Sequence, residues 1–499
     1  MKQFLLDKFD YQVTCDEART DTEVTFEKTD GTLSVYLTAK ADRPQFVTLQ
    51  WRFETEEDLF VLGDIWERSY GNLCFKRLSE NNRPLPWYFA ATNKSETFCF
   101  GVKTQPNAFV CFFYDENGVT ATIDCRNGGS GVKLDGRTVK LCTFVFARYA
   151  LPPFESLCAY CRTLCDHPLL PKEKIYGGNN WYYAYGESSY AENVSDAKLQ
   201  AELAEGIANR PFMVIDDGWE LDGFLGPYEP NEKYGDMKAL AEEIKSLGVR
   251  PGIWARLLDN QEADITPDMR ILRGGERIYL DPTNKKSQAL IVSCIEKMRS
   301  WGYELLKHDF STYDLFGDFG EKLTDRITNY TDWHFADETK TNAEIVLDFY
   351  RLIKDACGDM LVLGCNTVSH LCAGLVHINR TGNDTSGREW ACTRDNGVNT
   401  LAFRLAQNNA FYMVDADCVG ILNDNIPWEK NRQWLDVLSK SDTALFVSCD
   451  RLNDEQKADM INAYREIQKD HRIQPLDIYD NPIPSEWEID GRIVTYQWE

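Results

Sequence analysis

Apolar and polar positions alternate in short runs over the first part of the chain. Glu23 to Phe26, Leu33 to Leu37, Phe46 to Trp51, Phe98 to Val102 and Ala108 to Tyr114 show it. A period of two puts alternate side chains on opposite faces, the signature of half-buried strands. The turn pairs Asp30-Gly31, Asn117-Gly118 and Gly128-Gly129 punctuate these runs. Short strands separated by turn signals predict an N-terminal β-sandwich over residues 1–150. A helical linker is expected over 151–174, with Pro168, Pro171 and Gly177-Gly178 marking its boundary.

The texture then changes. Apolar runs at Asn179–Ala184, Phe212–Ile215, Arg250–Ala255, Tyr303–Lys307, Met360–Cys365, Gly374–Asn379, Ala410–Val414 and Thr443–Val447 alternate with helical patterns near 193–208, 236–247, 284–301, 341–356, 395–408 and 429–439. Strands alternating with helices imply parallel βαβ units. Eight of them predict a central (β/α)8 TIM barrel, here taken as 175–469 and including a last helix at 454–467. An open doubly wound sheet is the rival, but no glycine-rich phosphate loop follows the first strand. Residues 470–499 read as a small C-terminal β appendage, so the expected chain is multidomain.

Composition narrows the function classes. The chain has 499 residues, 43% of them hydrophobic, and a formal net charge of −25. Such acidity repels phosphate backbones and anionic lipids, which argues against nucleic acid and membrane partners. No apolar run approaches the roughly 20 residues that span a bilayer. The start, MKQFLLDKFDY, carries acids within a short apolar stretch and does not read as a secretory signal, so a cytoplasmic protein is expected. Sixteen cysteines over this length read as free thiols. Cys158, Cys161 and Cys165 share one helical face, where burial is the default reading over a zinc site that lacks a fourth ligand.

A barrel carries its chemistry at the C-terminal ends of its strands. Asp216-Asp217-Gly218-Trp219 ends the second run, Lys307-His308-Asp309 the fourth, Asp415-Ala416-Asp417 the seventh and Asp450 the eighth, while the sixth runs into Arg380 to Asp384. Aspartate also caps helices, which accounts for single cases better than for the set. Trp181, Trp219 and Trp254 accompany these acids. Apolar ring faces beside carboxylates suit a sugar, whose C–H face stacks while its hydroxyls hydrogen-bond.

Retaining sugar hydrolysis uses two carboxyl groups roughly 5–5.5 Å apart, one attacking and one donating a proton. Lys307 lies two positions before Asp309, on the same side of a strand, and favours its anion. A neighbouring negative nucleophile would raise the pKa of the acid. Spacing alone does not decide which aspartates form the pair.

The motifs VIDDGW (214–219), GIW (252–254), LKHDF (306–310), RTGND (380–384) and VDAD (414–417) resemble, in order, those of glycoside hydrolase family 36, the α-galactosidase and α-N-acetylgalactosaminidase group of clan D. GDIWERSYG (63–71), which contains Trp66, is similar to an N-terminal segment of the same enzymes. The resemblance implies Asp309 as nucleophile and Asp384 as acid/base. It implies Asp216 and Asp217 as ligands of the axial and primary hydroxyls of a galactose-type ring, Lys307 and Arg380 as further hydroxyl ligands, and Cys365 near the 2-substituent. Trp66, Trp181, Trp219 and Trp254 complete the expected substrate-binding set. The expected partner is a glycoside or oligosaccharide; the resemblance implies no cofactor and no metal, and leaves a homo-oligomer open.

Departures from the family surround the pocket. Cys365 is followed by Asn366-Thr367-Val368-Ser369-His370 instead of a glycine-rich segment, and strand three ends in Trp254-Ala255-Arg256, where many members are acidic. Strand seven carries Asp-Ala-Asp in place of Asp-Pro-Asp. Another galactose-configured glycosidase, a transglycosylase and a non-catalytic sugar-binding barrel are the alternatives. The last predicts loss of Asp309 or Asp384, and both are present. A metal hydrolase is disfavoured because, of six histidines, only His308 adjoins a proposed catalytic acid.

Overall fold

The computed structural model describes residues 5–55, 58–221, 223, 225–422, 425–449 and 451–499. Asp450, expected at the end of the last strand, lies outside them. Between Asp10 and Tyr149 the described strands form two antiparallel sheets. Trp51 of one meets Phe100 and Phe144 of the other edge-on, at 5.0 and 5.4 Å between ring centroids, and Phe100 meets Phe112 at 5.2 Å. Aromatic rings thus fill the space between the sheets, because each strand turns its apolar face inward. Asp30-Gly31 makes the tight turn from Glu23–Thr29 to Thr32–Thr38, with Thr29 opposite Thr32 and Gly31 at φ 70°. The helix Pro153–Leu164 follows; it buries Cys161, Cys158 is half-buried and Cys165 lies just past its end.

From Tyr176 onward a parallel sheet builds up, with helices between its strands. Tyr176–Asn179, Phe212–Ile215, Arg250–Ala255, Leu305–His308, Leu361–Gly364, Ile378–Arg380 and Met413–Asp415 pair in chain order. Leu445–Cys449 pairs with the first of these strands, and Val419–Ile421 pairs with Leu445–Cys449. Met413 to Ile421 is one run broken at Ala416–Cys418, where Asp417 takes φ 77°. Its first half bonds to the sixth strand and its second half to the last, and Asp415 also bridges Ala444. The sheet is therefore curled, and nine stretches of strand stand where the apolar pattern predicts eight.

Two expectations need correction. The first strand is Tyr176–Asn179, earlier than the apolar run at Asn179–Ala184, and Trp181–Ala184 is a short helix. Gly177, at φ 147°, explains why so glycine-rich a segment forms the strand. A Cβ there would lie 2.0 Å from the Phe212 carbonyl oxygen, so only glycine permits this close pairing. The pattern at 395–408 is not one regular helix; it begins with a π-helical stretch, Thr393–Val398, and continues as Asn399–Arg404. The C-terminal strands Ile473–Pro475, Glu486–Ile489 and Arg492–Thr495 form a small antiparallel sheet.

Candidate active site

The C-terminal strand ends surround a cavity of about 310 Å³. Asp216, Asp217, Trp254, Lys307, Asp309, Cys365, Arg380, Asp384 and Trp181 line it, all of them singled out by sequence. Strand alternation explains one motif directly. In Lys307-His308-Asp309 the first and third residues face the cavity, while His308 is buried behind them beside Tyr350. Burial pulls the His308 ring down to about 4, so it stays neutral at ordinary pH.

Asp309 is held at both oxygens. Its Oδ2 accepts from the indole N–H of Trp254 at 3.2 Å. Its Oδ1 accepts from the backbone N–H of Phe310 at 2.7 Å and from the side-chain amide of Asn366. Burial pushes this carboxyl up, but the charges of Lys307 and Arg68, with the Asn366 and Phe310 bonds, outweigh it and hold Asp309 below its ordinary value. A carboxylate so placed stays ionised and aimed, as a nucleophile requires.

Lys307 Nζ donates to Asp216 Oδ2 at 2.6 Å, and the Asn179 amide donates to the same oxygen at 2.7 Å. Burial works against the Lys307 charge, but Asp216 outweighs it and keeps the ammonium protonated. Arg380 binds Asp417 and donates to Asp384 Oδ1 at 3.0 Å. Asp417 also accepts from the Tyr182 hydroxyl and, at 2.7 Å, from the Thr385 N–H. Cys365 is buried, and burial pushes its thiol well up, so it is a neutral wall group.

Two expected residues lie elsewhere. Trp219 is buried behind the cavity, donating its indole N–H to the Trp254 carbonyl at 3.0 Å and packing edge-on against Trp301. The cause is the preceding Gly218, whose φ of 103° turns the chain away; a Cβ there would sit 2.4 Å from the Gly186 carbonyl oxygen. Trp66 is buried against Phe109 and His370, and its indole N–H donates to the Thr324 carbonyl. Arg68, two residues on, reaches the cavity instead.

Sequence reasoning did not single out Arg68, Asn179, Tyr182, Arg256, Phe310, Asn366 and Asp417 as site residues, yet all line the cavity. Asn366 and Arg256 stood out only as departures from a motif, and Asp417 only as one of the strand-end acids. Arg256 ion-pairs with buried Asp314 at 2.7 Å and lies 4.4 Å from the Phe310 ring centre, so the strand-three cation is matched by an acid further along the chain. Asn366 Oδ1 and Arg380 Nε are buried and have no protein partner. Unmet buried acceptors and donors are costly, so these two atoms are polar groups whose hydrogen bonds the protein alone does not complete. Among the described residues no group of three or more His, Cys, Asp or Glu could hold a metal ion, and no helix is long and apolar enough to cross a membrane.

Fold and site together define a curled parallel-sheet protein with a carboxylate- and cation-lined cavity at its strand ends. No family model and no curated protein matches the chain by sequence. Solved structures do match it in fold. An α-galactosidase from Thermus thermophilus, in complex with p-nitrophenyl α-D-galactopyranoside, superposes with a TM-score of 0.64 at 17% identity over 97% of each chain. The family 36 α-galactosidase from Geobacillus stearothermophilus gives 0.61 at 15% identity, over 92% of this chain and 75% of that one. The α-galactosidase from Lactobacillus brevis gives 0.59 at 12%, over 94% and 72%. This chain shares the fold of family 36 α-galactosidases.

Proposed function

We propose that the protein is a retaining glycoside hydrolase of the family 36 type, cleaving terminal α-galactosidic bonds. One observation carries the reading: Asp309, ionised and held at both oxygens, shares a cavity of sugar size with a second carboxyl group, Asp384. In this reading Asp309 attacks the anomeric carbon as Asp384 protonates the departing oxygen. A covalent glycosyl-aspartate forms, and Asp384 then takes a proton from the water that hydrolyses it. The Lys307–Asp216 pair and Asp217 face the ring hydroxyls, and Arg380 and Cys365 the side of the 2-hydroxyl. No cofactor takes part.

The shared fold supports the reading, as does the complex of the Thermus protein with an α-galactoside. We also read the curled sheet as a closed (β/α)8 barrel of clan D type, with the broken seventh strand completing the ring, and residues 1–150 as a β-sandwich seated against it. The test is hydrolysis of 4-nitrophenyl α-galactoside, α-N-acetylgalactosaminide, β-L-arabinopyranoside and α-glucoside, with the released sugar followed by NMR. The expected result is turnover of the α-galactoside with the α-anomer appearing first. Release of the β-anomer first would overturn the covalent scheme.

A further inference from the structure

Asp384 is half-exposed, with 48% of its side chain accessible, and stands at the mouth of the cavity. Its Oδ1 accepts from Arg380 at 3.0 Å and from Arg68 at 3.0 Å. Arg380 lies four residues earlier in the chain, on the sixth parallel strand. Arg68 comes from the N-terminal part, beyond the antiparallel strand Phe60–Gly63. Only 10% of its side chain is accessible.

The segment that carries Arg68 is sewn to the segment that carries Asp384. Ser69 N–H donates to the Thr381 carbonyl at 2.8 Å, and Asn383 N–H donates to the Ser69 carbonyl at 2.6 Å. Arg404, fully buried, donates to the carbonyls of Glu67 at 2.6 Å and Thr381 at 3.0 Å, holding both segments at once. Behind Arg68, its Nε donates to the Tyr70 hydroxyl at 3.4 Å. That hydroxyl donates to Glu67 Oε1 at 2.8 Å, and Glu67 Oε1 accepts the Gly320 N–H at 2.7 Å.

We propose that Arg68 is a positioning residue for Asp384. A carboxyl group on a half-exposed side chain can swivel about two bonds. One guanidinium on its own element fixes the direction of one oxygen; a second, arriving at that oxygen from another part of the molecule, removes the swivel. With Oδ1 pinned, Oδ2 is presented to the leaving-group oxygen. Misplacing such a group by about 1 Å costs on the order of a hundredfold in rate. The inference rests on the reading of Asp384 as acid/base.

The test is Arg68→Ala and Arg68→Lys on aryl α-galactosides of graded leaving-group acidity, with Tm measured alongside. The expected result is a loss on poor leaving groups about tenfold or more greater than on activated ones, since only the former need the proton. The loss should fall mainly on kcat. Arg68→Lys should lie between wild type and Arg68→Ala, and millimolar guanidinium should partly restore Arg68→Ala. Equal losses across the series, or none, would overturn the proposal. If Arg68→Ala does not fold, the same slope is read from Arg68→Lys. A wild-type protein inert on the whole series counts against the hydrolase reading itself and takes this inference with it; an active wild type with equal losses counts against Arg68 alone.

Discussion

At the scale of single residues, the two aspartates should fail in different ways. Asp309→Asn removes the attacking atom and should lower kcat by about four orders of magnitude, with no glycosyl-protein trapped by a mechanism-based fluoro sugar and seen by mass spectrometry. Asp384→Asn keeps the nucleophile. It should spare aryl galactosides with good leaving groups and lose natural disaccharides, because only the latter need protonation. Equal loss on both would remove Asp384 from the acid's role. The pH profile follows from Asp309. Its pKa is lowered, so it is ionised above that value and activity is lost as pH falls through it. The acid limb of kcat/KM should therefore lie below about 4, the ordinary aspartate value. A limb set by His308 is not expected, because that buried ring does not line the cavity.

At the scale of elements, each motif acts through the end of a strand and the turn that follows it. Asp216 and Asp217 leave the second strand into a turn that only Gly218 permits, and that turn decides that Trp219 packs inward. The fourth strand ends at His308, and Phe310 takes φ 61°, which returns its N–H to the Asp309 carboxylate. The helix that carries the chain to the fifth strand, Asn342–Cys357, starts with a capping box. Thr341 accepts from the Glu344 N–H at 3.1 Å, and Glu344 accepts from the Thr341 N–H at 2.9 Å. The Thr341 hydroxyl is also bonded to the Asn107 carbonyl of the N-terminal part. Thr341→Ala should cost about 1 kcal/mol or somewhat more, read as a lower Tm with kcat unchanged.

At the scale of the whole molecule, the N-terminal sheets and the parallel sheet share a polar seam that is fully buried. Arg404 and Asp64 pair across it at 2.8 Å with 0% and 1% of their side chains accessible. Asp64 also accepts from Trp87 at 2.8 Å and Gln407 at 2.9 Å. Cutting one partner of such a pair leaves an uncompensated buried charge, at roughly 3–5 kcal/mol. Arg404→Met should therefore lower Tm by several degrees. It should also lower turnover, because the same guanidinium ties Glu67 and Thr381 on either side of Arg68 and Asp384. A drop in Tm with unchanged turnover would separate the seam from the site. The glycine pair 128–129 seats on the Trp333 and Tyr330 carbonyls in another part of this contact, where a Cβ would come within 2.6 Å and 2.2 Å.

The sequence by itself determined the order of the parallel strands and most of the cavity's charged residues. Both follow from local rules: a period of two or 3.6 in apolar positions, and chemistry gathered at strand ends. It placed Asp216, Lys307, Asp309, Arg380 and Asp384 at those ends with no knowledge of their neighbours. Tertiary structure decided what those rules do not encode. A backbone turn at Gly218 sent Trp219 into the core, and Trp66 went to the seam while Arg68 went to the cavity. Asn179, Tyr182 and Asn366 became wall residues by orienting acids on other strands, and Asp417, legible only as a strand-end acid, by pairing with Arg380. Those roles depend on distances between residues 37 to 235 positions apart, and no local pattern of apolar and polar positions records them.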